Sequence, residues 1–240
     1  MINSPKTQTK LIGLDSYMNS LINVYEKKNL SNKILFYGLK GIGKSTMAYH
    51  FINYIFSKDE INPYDLNNFL IHPENRSYNL VKNHSHPNIF NIDLLDEKKS
   101  IEISQIREMI NYANKSSFNE KPKFVLIDNV ENLNVNSLNA LLKIVEEPNE
   151  NLFFLLIHDS KKKISDTLKS RCINFKINLS FETSIEISNK ILEKNEIDFL
   201  NEDLLNYYIT PGEIINLVNF SINKNVDLKK NSLKDLLLIL

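Results

Sequence analysis

The sequence predicts an α/β protein built on a parallel sheet, followed by a smaller helical segment. Three observations carry that expectation. From about residue 33 to residue 180, short apolar runs alternate with amphipathic stretches, as strands do when joined by crossover helices. One strand–helix junction, Gly38-Leu39-Lys40-Gly41-Ile42-Gly43-Lys44-Ser45, fits the pattern G-x-x-x-x-G-K-[ST] at every fixed position. After Ser180 the strand-like runs stop and only helical spacing remains.

The elements follow in order. Leu11, Leu14, Met18, Leu21 and Ile22 have helical spacing and form a lead-in. Ile34-Leu35-Phe36-Tyr37 reads as a buried strand, and Met47, Ala48, Phe51, Ile52 and Ile55 line the helix after the glycine loop. Residues 58–87 are polar, are interrupted by Pro63, Pro73 and Pro87, and read as mostly irregular. Asn88–Leu95 reads as a strand, and Ser104 as the cap of a helix turning Ile106, Met109, Ile110 and Ala113 inward. Lys123–Ile127 is a second buried strand, ending at Asp128. Asn134 caps a helix with the stripe Leu138, Leu141, Leu142 and Val145, which Pro148 ends. Leu152–Ile157 is a third central strand, and a short helix through Leu168 leads to Arg171. Ile173, Phe175, Ile177 and Leu179 alternate as on a half-covered edge strand. Helical patterns follow at about 181–194, 201–208 and 211–223. The expected organisation is a nucleotide-binding domain over 1–180, a helical lid over 181–223 and a further segment over 224–240.

The chain has 240 residues, 42% of them hydrophobic, which is enough for a sizeable core. Its formal net charge is zero, so no global basic field draws it to nucleic acid. The single cysteine, Cys172, excludes an internal disulfide framework and fits a reducing compartment. The N-terminus lacks an apolar signal region, and no apolar run has the length of a membrane span. A soluble cytoplasmic protein with no membrane partner is expected. Arginine is scarce among the 29 basic residues: Arg76, Arg107 and Arg171 stand against a strong lysine bias.

The glycine loop is phosphate chemistry. Gly38, Gly41 and Gly43 let backbone N–H groups turn toward phosphates, and the following helix N-terminus adds positive potential. Lys44 would reach the β- and γ-phosphates, with Thr46 beside it, and Ser45 would ligate Mg²⁺. Asp128, at the end of an apolar strand, is the expected second holder of that ion. ATP or ADP with Mg²⁺ is therefore the expected cofactor. Asn129 follows Asp128; an amide can hold a water but cannot accept its proton. Glu131 reads as a solvated loop carboxylate, and Lys161-Lys162-Lys163 as a solvated loop. His72, His84 and His86 lie in a polar region and read as solvated rather than metal-bound.

Three blocks carry a family resemblance: Ile127-Asp128-Asn129-Val130-Glu131-Asn132-Leu133, Asn139-Ala140-Leu141-Leu142-Lys143-Ile144-Val145-Glu146-Glu147-Pro148 and Ser170-Arg171-Cys172. Together they resemble the AAA+ subunits of the bacterial DNA polymerase III clamp loader over roughly residues 11–223. The residue after Asp128, the stretch Ala48-Tyr49-His50-Phe51 and the stretch Ser85-His86-Pro87-Asn88 look most like the delta-prime type. The resemblance implies a P-loop AAA+ three-layer domain with a helical lid. It implies an assembly subunit that binds ATP weakly, hydrolyses little by itself, and presents Arg171 to a neighbour's γ-phosphate. The alternative is a catalytically active gamma/tau-type ATPase. A free-standing P-loop kinase is disfavoured by the three blocks.

The implied partners are gamma/tau and delta subunits, and through them a sliding clamp and primer–template DNA. Read from its own residues, Arg171 could equally be a cation satisfying carbonyls at a helix end. Glu213 stands where the family's second sensor arginine would be. Thr210 and Glu213 read as a capping box, with Pro211 at the first helical position. The cysteines of the family's zinc module are missing, so no zinc is expected. The apolar run Leu236–Leu240 is expected to lead into a collar or to dock on a partner.

Overall fold

A single parallel sheet organises the larger part of the chain in this computed structural model, which describes residues 4–95, 97–116, 119–192, 200–207 and 210–238. Its strands are β1 (Lys33–Gly38), β2 (Ile89–Ile92), β3 (Lys123–Ile127), β4 (Leu152–Asp159) and β5 (Ile173–Lys176), in the order β2-β3-β4-β1-β5. Every pairing is parallel, with Ile127 opposite Leu156 and Phe36 opposite Ile157. Helices cover both faces, so the central strands are continuous apolar runs rather than alternating ones. All five residues of β3 are buried.

Successive residues of β3 feed two cores. Val125 and Ile127 pack with Ile106 and Met109 of α4 (Ile103–Asn114) and with Leu141 and Val145 of α5 (Val135–Glu146). Phe124 points the other way, as the period of two requires. Its ring meets Phe51 and Phe56 of α2 (Lys44–Ser57), with centroids 6.3 and 5.6 Å apart. The lead-in is α1 (Asp15–Glu26), which buries Met18, Leu21 and Ile22. α3 is Arg76–Lys82 and α6 is Asp166–Ser170.

The chain divides into two compact units. One is the sheet unit, Ser4–Gly38 with Lys44–Ile177; the other comprises Asn178–Leu240 and takes in Leu39–Gly43. Among its described residues this second unit holds α7 (Phe181–Leu192), α8 (Glu202–Tyr207), α9 (Pro211–Lys224) and α10 (Leu233–Leu237). Leu204, Ile214, Leu217, Val218, Leu228 and Leu236 form its core. The capping box is present: Thr210 Oγ1 accepts the Glu213 N–H at 3.3 Å, and Glu213 Oε2 accepts the Thr210 N–H at 3.2 Å. Within the same unit the Gly212 N–H donates to the Gly41 carbonyl at 2.8 Å. A Cβ on Gly212 would lie 2.7 Å from Gly41 Cα, so this backbone contact requires glycine.

Several expectations are corrected. The stretch 58–87 is not irregular throughout: Asn75 caps α3 by accepting the Tyr78 N–H at 2.7 Å. β2 stops at Ile92, short of Leu95. α4 begins one residue before Ser104, because Gln105 reaches back to accept the Glu102 N–H at 3.1 Å. Ile173 is more than half exposed, since β5 is an edge strand, while Ile177 beyond it is buried. Leu236 is buried and Leu238 exposed, so the apolar C-terminal run is split between core and surface. The outermost residues assigned to two helical patterns, 193–194 and 208, lie outside the described residues. No helix among the described residues is long and apolar enough to cross a membrane.

His86 is not solvated. Its ring stacks on Phe56, with centroids 4.1 Å apart, and burial lowers its pKa to about 4 despite nearby Glu60. His50 is fully buried between the Tyr64 hydroxyl and the Gln8 carbonyl, each at 3.0 Å. A carbonyl only accepts, so Nε2 carries the proton. Burial lowers the His50 pKa to about 4 as well.

Both rings are neutral in the fold and bind protons more readily once unfolded. Stability is therefore complete above the unfolded value near 6.5 and is lost as pH falls toward 4. The loss should reach on the order of 3 kcal/mol per ring at pH 4. Denaturant titrations between pH 7 and 5, where few carboxylates titrate, check this. His50→Gln should flatten the slope by about half, and an unchanged slope would remove His50 as its source.

Candidate nucleotide site

The C-terminal ends of the sheet strands gather the polar groups. β1 ends at Gly38 and β3 at Ile127, with β4 between them. α2 starts at Lys44, directly after the glycine loop, in which Gly41 and Gly43 have φ of 86° and 89°. Those positive values are what the two glycines supply.

Within the sheet unit, Lys44 is buried and its Nζ donates to the Gly38 carbonyl at 2.8 Å. That carbonyl also accepts the Ser160 N–H from the loop after β4, at 3.0 Å. Ser45 Oγ donates to Asp128 Oδ2. The two residues proposed from sequence to hold Mg²⁺ are therefore brought together, and Thr46 follows them in α2. Burial pushes the Asp128 carboxyl up, with a further upward push from Asp93; Ser45, the Asn129 N–H and Lys44 act against that rise. A hydroxyl and a carboxylate are hard oxygen donors, so this set fits a nucleotide-bound Mg²⁺.

Asn129 sits in the left-handed region, φ 53°, ψ 43°. Its N–H donates to Asp128 Oδ1 at 2.8 Å, and its side-chain amide to Asp93 Oδ1 at 2.7 Å. Asp93 was missed in the sequence, although Ile92-Asp93 repeats the signal of Ile127-Asp128, an apolar strand followed by a carboxylate. The Tyr49 hydroxyl of α2 is pushed up by burial, then by Asp128 and Asp93, which places all three in one electrostatic neighbourhood.

Glu131 is not solvated: its side chain is 1% exposed. It accepts the Asp159 N–H at 3.2 Å and lies 3.5 Å from Lys162 Nζ. The carboxylate thus ties the turn after β3 to the end of β4. Lys162 is correspondingly paired rather than free. Asn134 caps α5 as expected, accepting the Ser137 N–H at 2.9 Å.

Arg171 lies at the C-cap of α6, apart from these groups in their hydrogen-bond network. Its Nη1 donates to the Thr167 carbonyl at 3.0 Å, the helix-end arrangement that its own sequence context allowed. Its Nε and Nη2 contact Glu146 Oε1 at 2.9 and 2.6 Å. Among the described residues no group of three or more His, Cys, Asp or Glu could hold a metal ion.

The five-stranded parallel sheet with this loop and strand-end aspartate defines a P-loop protein of the AAA+ class. The RuvB Holliday junction branch migration motor of Thermotoga maritima matches that fold with a TM-score of 0.52 and 15% identity, covering 93% of this chain and 69% of its own. The chain belongs to the family described as DNA polymerase III, delta subunit, whose sequence model matches residues 13–180. Several of its curated relatives are named as the delta' subunit of that polymerase. The chain is 30% identical to the delta' subunit of Pseudomonas aeruginosa over 139 residues, 58% of this chain and 40% of that protein. It is also 30% identical to the gamma subunit of Buchnera aphidicola subsp. Schizaphis graminum over 202 residues, 83% of this chain and 53% of that protein. The chain thus spans about half the length of the curated relatives it matches.

A raised carboxyl at Asp128 has a thermodynamic consequence. Its ionised form is disfavoured in the fold, so at neutral pH it detracts from stability, and the deficit appears as pH rises through its folded pKa. Asp128→Asn keeps an oxygen for the Asn129 N–H, lets its NH₂ donate to Ser45 Oγ, and removes that charge. It should raise the stability of the nucleotide-free protein by about 0.5–2 kcal/mol, as relaxing a functional residue commonly does. Chemical denaturation at pH 7 measures this, and a destabilised variant would contradict it.

Proposed function

We propose that this chain is a cytoplasmic delta-prime-like subunit of a DNA polymerase III clamp loader, one that binds ATP weakly and hydrolyses little alone. Asn129 carries the reading. It stands directly after Asp128, where an active ATPase needs a proton acceptor, and its amide already donates to Asp93. Lys44, Ser45, Thr46 and the glycines Gly38, Gly41 and Gly43 would hold the nucleotide, with Ser45 and Asp128 at its Mg²⁺. That ion would neutralise phosphate charge. Glu213 occupies a capping box and supplies no cation for phosphate. The proposed partners are gamma/tau and delta subunits, with sliding clamp and primer–template DNA reached through the assembly. The proposed organisation remains a nucleotide domain over 1–180, a lid over 181–223 and a further segment over 224–240.

A gamma-type ATPase is the second reading. The paired Ser45 and Asp128 favour it, as does the similarity to a gamma subunit. ATP turnover by the isolated chain separates the two. Turnover should be negligible, and calorimetry should show weak ATP binding that Lys44→Ala abolishes. Robust turnover that disappears with Asp128→Ala would establish the second reading instead.

Arg171 is the proposed trans-acting arginine, directed at the γ-phosphate bound by a neighbour. A guanidinium there would offset charge that develops during phosphoryl transfer. Arg171→Ala should leave folding and assembly intact and lower ATP turnover of the reconstituted loader. Arginines of this kind are worth roughly 10³–10⁵ in rate at a site where they act alone. With only one of several sites affected, the total loss should be smaller. Arg171→Lys should be nearly as harmful, because an ammonium lacks the planar fork. Unchanged turnover would return Arg171 to a helix-end role.

A further inference from the structure

Glu146 is the last residue of α5, and another carboxylate, Glu147, follows it. Negative charge at a helix C-terminus opposes the macrodipole. Side-chain placement there without a compensating cation weakens the helix. Lys143 in the last turn and Lys33, whose Nζ donates to the Glu146 carbonyl at 3.4 Å, offset part of this; the carboxylate itself is met by Arg171, 25 positions on, whose Nε and Nη2 contact the same Glu146 oxygen at 2.9 and 2.6 Å. The third contact, Nη1 to the Thr167 carbonyl at 3.0 Å, binds the guanidinium to the end of α6. One arginine thus serves two helix ends.

The geometry also constrains what that arginine can do next. A guanidinium has five N–H donors. Three are directed at Glu146 and Thr167, which leaves one on Nη1 and one on Nη2 without a partner among the described residues. Neither partner is buried: the Arg171 and Glu146 side chains are 34% and 50% exposed. The ion pair is therefore worth little as a stabiliser. Its larger effect is on the rotamers of a long side chain, whose ordering would otherwise have to be supplied on binding.

We propose that Glu146 is a positioning residue for Arg171: it takes the Nε side of the guanidinium and thereby presents the two remaining Nη N–H groups to a phosphate held by an adjacent subunit. This rests on the reading of Arg171 as a trans-acting arginine. Glu146 itself touches no nucleotide. Its contribution is orientation, made before the subunits meet.

The test uses the loader reconstituted from full-length subunits, with ATP as the probe. Glu146→Ala should lower turnover at the one site that Arg171 serves by about 10-fold, the scale of a modest misplacement of a reacting group, so that total kcat falls toward the Arg171→Ala level, and should leave KM within about twofold, because nucleotide binding is untouched. Glu146→Gln retains an oxygen acceptor and should recover most of the loss. In the isolated chain, the Arg171 Nε–H resonance should exchange rapidly with solvent in the Ala variant and remain protected in the wild type and the Gln variant. Unchanged kcat in Glu146→Ala, with Arg171→Ala strongly impaired, would overturn the positioning role and leave the arginine reading standing. A rise in kcat would overturn it too, by showing that Glu146 restrains the arginine. Unchanged turnover in Arg171→Ala would overturn both.

Discussion

The site is built around a carboxylate held where water is scarce. Asp128 closes a strand whose five residues are all buried, and burial raises its pKa. A carboxylate in such a place must be hydrogen-bonded or protonated. Ser45 Oγ and the Asn129 N–H supply the bonds, from the helix after the glycine loop and from the turn after β3. The strand order sets this up. With β4 between β1 and β3, the ends of β1 and β3 are two strand spacings apart, about 10 Å. Side chains reaching inward from both can meet over the end of β4.

The end of β4 is fastened from both sides. Glu131 receives the Asp159 N–H, and the next residue, Ser160, donates to the Gly38 carbonyl, which also accepts Lys44 Nζ. Lys44 and the turn after β3 are thus connected through one short segment of backbone. That segment leads through α6 to Arg171. In this arrangement the lysine has an internal acceptor, and a triphosphate would have to compete with a neutral carbonyl for it. A carbonyl is a weaker partner than a phosphate oxygen for an ammonium. The contact therefore orders Lys44 without blocking it.

Much of the fold was legible because it depends on period and punctuation. Apolar runs at β1, β3 and β4 could not be mistaken once the glycine loop gave them direction, and the Asn134 and Thr210–Glu213 caps follow from local side-chain chemistry. What escaped was decided by packing at a distance. His86 lies in a polar stretch, and only the Phe56 ring, thirty positions earlier, makes it a buried residue. Glu131 has a solvated-looking neighbourhood in sequence, yet its partners come from the end of β4. Asp93 had the signal and was passed over because no motif pointed to it. α3 was hidden among prolines, since a helix of seven residues shows too little periodicity to be read.

Binding and chemistry are separable in this architecture, and the residues around Asp128 show how. In the proposed function, phosphate and metal would be held by Lys44, Ser45 and Asp128, each already ordered by a hydrogen bond. In the same proposal, water activation would need a proton acceptor at the position where Asn129 stands. The nearby carboxylate, Asp93, is on the receiving side of the Asn129 amide, so one of its oxygens is occupied by a donor. An amide at this position would leave the proposed ligand-holding groups untouched while supplying no base. The guanidinium of Arg171 lies on the other side of that division: it is committed to Glu146 and Thr167, two groups that take no part in holding Asp128. The groups that shift the Asp128 carboxyl are Asp93, Ser45, Asn129 and Lys44, and Arg171 is not among them.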